Sequence, residues 1–82
     1  MNNKMAIFIF DGAKLDEYAR GFISGIMYFI CGKPDTTWEW CRFEDDDGNT
    51  LWEKHLDCTL DQGTAIYDEI EKHYPGVIVA LV

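Results

Sequence analysis

Residues 36–58 read TTWEWCRFEDDDGNTLWEKHLDC, and they decide the fold. Two segments rich in aromatic and β-branched residues, 36–44 and 50–58, flank an acidic, turn-forming centre. Asp47-Gly48 is a strong signal for a two-residue hairpin turn. With the turn there, Asp46 stands opposite Asn49, Phe43 opposite Trp52, Arg42 opposite Glu53, Cys41 opposite Lys54 and Trp40 opposite His55. Side chains alternate across a strand, so this register divides the hairpin into two faces. One face receives Cys41, Phe43, Trp52, Leu56 and Cys58, with Glu39 and Lys54 among them. The other receives Trp38, Trp40, Arg42 and Glu44 beside Leu51, Glu53, His55 and Asp57.

The segments on either side supply the covering layer and two more strands. Residues 4–10 (KMAIFIF) form a continuous apolar run ended by Asp11-Gly12, as expected of a strand buried on both faces. Residues 13–31 carry helical spacing through Leu15, Tyr18, Ala19, Phe22, Ile23, Ile26, Phe29 and Ile30, with Gly32 and Pro34 as a stop. Gly21 and Gly25 on that helix suit close packing on the sheet, or alternatively contact with a partner's helix. Thr59 and Gln62 have capping-box spacing, and a second helix follows to about Tyr74, ended by Pro75-Gly76. Its stripe is Leu60, Gly63, Tyr67, Ile70 and Tyr74, flanked by Ile66. Residues 77–82 (VIVALV) read as a last strand, apolar on both faces. The order is βαββαβ. This is an α+β, ferredoxin-like arrangement: a four-stranded antiparallel sheet with the first and third strands central and two helices on one face. At 82 residues it is one domain, 1–82.

The helix-covered face of such a sheet is the core, and the other is open. On the hairpin register the open face carries Trp38, Trp40 and Arg42, and either the Phe8/Phe10 or the Ile7/Ile9 row adds to it. So large an apolar surface is expected to have a partner, and Trp with Arg is common at interface hot spots. A shifted turn or a bulge would instead carry the Trp residues into the core.

Charge narrows the kind of partner. The chain has 15 Asp and Glu against 7 Lys and Arg, a net of −8. Residues 1–34 are close to neutral at +1, and residues 35–82 hold twelve acids against Arg42, Lys54 and Lys72, a net of −9. Direct binding to nucleic acid or to an anionic membrane is disfavoured, and a basic protein is the natural counterpart. The run Glu44, Asp45, Asp46, Asp47 reads either as a solvated hairpin tip or as an acidic finger that imitates phosphates.

Chemistry finds little foothold. Glu53, His55 and Asp57 alternate on one strand and are the only set that suggests a metal, but such sets are common on solvated strands, and neither a metal nor a cofactor is expected. The calcium-loop pattern fails at the acidic run, which would place Phe43 at the first ligand position and Lys54 at the last. Cys31, Cys41 and Cys58 include no C-x-x-C pair. Ser24, the one serine, lies among apolar neighbours, and no Gly-rich phosphate loop is present. Aromatic residues on an open sheet suggest base stacking, but their strands carry acids and no basic cluster.

The expectation is therefore a small acidic non-enzymatic module, an inhibitor or nucleic-acid mimic that blocks a basic, nucleic-acid-binding partner. Its candidate contact residues are Trp38, Trp40, Glu44, Asp45, Asp46, Asp47, Glu53, His55 and Asp57. Phage anti-defence proteins such as anti-CRISPR or anti-restriction factors, nuclease immunity proteins and antitoxins all share this physics. The alternative is a homodimeric ferredoxin-like domain that binds a small molecule at its interface. An odd cysteine count and no signal peptide point to reduced thiols in a cytoplasm, the host's if the gene is phage-borne. No segment reads as membrane-spanning.

Overall fold

The computed structural model describes residues 4–32 and 40–82. Its elements run β1 (Lys4–Asp11), α1 (Glu17–Cys31), β2 (Cys41–Glu44), β3 (Thr50–Cys58), α2 (Leu60–His73) and β4 (Ile78–Leu81). The strands form one sheet in the order β2-β3-β1-β4, with every neighbouring pair antiparallel. This is the ferredoxin-like βαββαβ topology expected from the sequence.

One core joins both helices to one side of the sheet. Phe8 and Phe10 of β1, Leu56 and Cys58 of β3, Ala19, Ile23 and Met27 of α1, and Ile66 and Ile70 of α2 are all buried in it. The strands are not buried on both faces. In β1 the even positions Phe8 and Phe10 are fully buried, whereas Ile7 and Ile9 are half-buried and Met5 is exposed. A single layer of helices covers one row of an alternating strand and leaves the other to solvent.

The helix boundaries follow their caps. Asp16 accepts the Ala19 N–H at 2.8 Å and starts α1, so Ala13 and Lys14 lie in the preceding turn. Thr59 and Gln62 form both bonds of the expected capping box at the start of α2, at 3.1 and 2.9 Å. The buried stripe of α1 is narrower than its apolar periodicity suggests. Ala19, Ile23 and Met27 point inward, while Tyr18 and Phe29 are exposed and Phe22 only partly covered. In α2, Ile66 is buried and Leu60 is exposed, the reverse of their expected places.

The hairpin departs from the expected two-residue turn. Glu44 pairs with Thr50, and the Asp45 N–H donates to the Asn49 carbonyl at 3.0 Å, so the loop is Asp46-Asp47-Gly48. Its conformation is set by Asp45, whose Oδ1 accepts the N–H groups of Asp47 and Asn49 at 3.0 and 2.8 Å. Gly48, with φ 80°, takes the left-handed position that a three-residue loop requires. Adding one residue to the loop shifts the register by one, and a one-residue shift turns every β2 side chain over. Cys41 now faces Glu53, Arg42 faces Trp52 and Phe43 faces Leu51.

Candidate partner-binding face

The face of the sheet away from the helices is built from alternate residues of all four strands. β1 contributes Met5, Ile7 and Ile9, which pair with Asp57, His55 and Glu53 of β3. Leu51 extends the β3 row towards the hairpin, beside Phe43 of β2. On the other side Ala80 pairs with Ile9, and Val82 exchanges backbone hydrogen bonds with Ile7 at 3.1 and 2.9 Å. The register between β1 and β4 slips between Ile9 and Phe10, and the extra residue, Val79, is exposed.

Polar groups sit inside this apolar surface. Glu53 lies between Cys41 and Ile9 in one row across the sheet, and His55 lies between Ile7 and the β2 side in the next. The His55 Nε2 and Glu53 Oε1 are in direct contact, which ties the two side chains into one unit. Asp57 is exposed beyond them. Among the described residues no three His, Cys, Asp or Glu side chains converge to hold a metal ion.

The acidic tip adjoins this face but divides by role. Asp45 is committed to the loop, since its Oδ2 also accepts from the Asn49 amide at 3.3 Å. The backbone N–H of Asn49, chiefly, holds its carboxyl below the usual aspartate range. Glu44, Asp46 and Asp47 are exposed, and none of the three has a salt bridge among the described residues. These three face solvent, whereas Asp45 shapes the loop between them.

Trp40 corrects the expected site. The β2 inversion puts it on the helix side, half-buried against the core. Its indole N–H donates to the Ser24 Oγ of α1 at 3.0 Å, and its ring lies 5.2 Å from Phe10 and 6.3 Å from Trp52 between centroids. The fully buried Lys54 brings its Nζ within 5.3 Å of the same ring. Trp40 is thus a wedge between α1 and the sheet, and Arg42 and Glu44, on the same side of β2, also leave the open face. Trp38 and Glu39 lie outside the described residues. Glu53, His55 and Asp57 stand on the open face as the sequence indicates.

Phe43 and Cys41 are open-face residues that the sequence reading missed, because their side depends on loop length. The signal was present in Asp45, an acid positioned to accept the N–H groups that follow it. Elsewhere, burial raises the Cys58 thiol above its ordinary value, which keeps it protonated and unreactive. Among the described residues no helix is long and apolar enough to cross a membrane. No family model, curated protein or solved structure matches this chain.

Proposed function

We propose that this chain is an acidic, non-enzymatic protein-binding module whose open sheet face and hairpin tip engage a basic, nucleic-acid-binding protein and block it. One observation carries the reading. The open face combines an apolar surface (Met5, Ile7, Ile9, Phe43, Leu51) with the carboxylates Glu53 and Asp57, and its described side chains include no Lys or Arg. Apolar residues would supply affinity, and the acids would speed encounter and select a cationic partner. The exposed Asp46 and Asp47 extend the negative edge beyond the sheet, with Glu44 exposed at the end of β2.

A second copy of this chain is the competing occupant. Face-to-face closure would bury Glu53 and Asp57 of both copies with only His55 to offset them, and each copy carries a net −8. A basic partner brings the missing cations. Phage anti-defence proteins such as anti-CRISPR factors, nuclease immunity proteins and antitoxins are settings in which such a module acts, in the cytoplasm of the target cell.

The test is capture from the source cell, followed by binding measurements on each captured protein. The expected partner is basic, competes with nucleic acid for this chain, and binds less tightly as salt rises. Ile9→Lys should abolish binding, and Asp46→Asn with Asp47→Asn should weaken it, while Lys72→Gln on α2 leaves it unchanged. Salt-insensitive binding, or normal binding by Ile9→Lys, would refute the reading. Light scattering should find a monomer.

A further inference from the structure

Arg20 of α1 and Arg42 of β2 line one cleft of about 480 Å³, where the β1–α1 loop meets the base of the hairpin. The inverted face of β2 brings Arg42 there, opposite Trp52. The Arg20 guanidinium carbon stands 4.3 Å from the centre of the Trp52 ring, and its Nη1 donates to the Leu15 carbonyl at 3.4 Å. Arg20 is therefore already oriented, and Arg42 is exposed at the other wall.

Among the described residues neither guanidinium has a carboxylate within ion-pair distance. The ion pairs among the described residues belong to His55, Lys72 and His73. Asp11 also lines the cleft, but its Oδ1 accepts the Ala13 N–H at 3.0 Å. In a chain with 15 acids and 7 Lys and Arg, carboxylates are in excess, so two arginines on a shared cleft with no described carboxylate in ion-pair contact stand out. With Asp11 counted, the described lining of the cleft keeps one net positive charge in an otherwise strongly acidic molecule.

We propose that this cleft binds a small oxyanion, a carboxylate or phosphate group, between Arg20 and Arg42 beside Trp52. A guanidinium offers paired N–H donors in a planar fork that matches such groups, and one held by stacking loses little freedom on binding. The cleft is separate from the open face, because Arg42 and Trp52 belong to the helix side of the sheet. A ligand there would bridge the β1–α1 loop and the hairpin that carries the acidic tip.

The experiment is a titration of the full chain, uniformly ¹⁵N-labelled, with inorganic phosphate and separately with succinate, at constant ionic strength maintained with chloride. The expected result is a saturable shift of the Trp52 indole and the Arg42 and Thr50 amides, with an apparent Kd of about 1 mM or below. Arg42→Gln, a change at an exposed position, should weaken binding by about tenfold, and Arg42→Lys should restore only part of it because the fork is lost. Lys72→Gln should bind like the parent. The tighter of the two anions tells phosphate from carboxylate chemistry. The proposal is overturned if neither anion saturates, if chloride gives the same shifts, if folded Arg42→Gln binds normally, or if Lys72→Gln weakens binding as much.

Discussion

Gly21→Ala and Gly25→Ala should each stabilise the protein. Both glycines lie inside α1, and a Cβ built at either meets nothing within 4 Å. Neither is the close-packed helix-to-sheet contact that their spacing suggests. With no clash to offset it, the gain is the helix-propensity difference between glycine and alanine, about 0.8 kcal/mol per site, much of it from a less disordered unfolded chain. The double variant should gain about 1.6 kcal/mol, because the two new methyl groups add no strain. For a domain of this size that is a rise in Tm of about 6 to 12 °C. Gly12→Ala is the built-in contrast, because its Cβ would lie 2.4 Å from the Thr50 carbonyl oxygen and 2.9 Å from its carbon. Those atoms are backbone, and the Gly12 N–H donates to the same oxygen at 2.9 Å. That substitution should cost about 2 kcal/mol or more. Urea denaturation followed by circular dichroism measures all four variants, and the slope should stay constant while the midpoint moves. If Gly25→Ala lowers the midpoint, the outer face of α1 is packed in solution, and the reasoning fails.

Two further perturbations probe the hairpin. Trp40→Phe and Ser24→Ala should each cost about 1 kcal/mol by removing the indole hydrogen bond, and the double variant should cost less than their sum. A loss at Trp40 below about 0.5 kcal/mol, the scale of an ordinary surface change, would return Trp40 to the open face and restore the two-residue turn. Asp45 has its carboxyl held below the usual aspartate range by N–H donors that exist only in the folded loop. Its contribution is therefore present above the unfolded aspartate value and lost as pH falls through the lower, folded one. The Asp47 and Asn49 amide shifts should titrate together at a pH below that of an ordinary aspartate, and a midpoint at or above it would sink the account.

The site was legible in proportion to how local its determinants are. Glu53, His55 and Asp57 could be placed on the open face because strict alternation along β3 needs only one inward residue, and Leu56 and Cys58 provide it. The choice between the Phe8/Phe10 and Ile7/Ile9 rows stayed open in the sequence, since both are apolar; the paired phenylalanines lie inside, with ring centroids 6.2 Å apart. The oxyanion cleft was invisible, because Arg20 and Arg42 line one cleft only after β2 has turned over.

Residue order alone dictates the βαββαβ succession, the capping box at Thr59, the strand order and the uneven charge, because each follows from local propensity or from chain topology. Packing settles which side of β2 points where and which third of α1 is buried. Both α1 and β2 carry more apolar and aromatic residues than one face can hold, so periodicity does not choose among them. A single carboxylate, Asp45, lengthens the loop by one residue, and that one residue moves Trp40 into the core and Phe43 out to the open face.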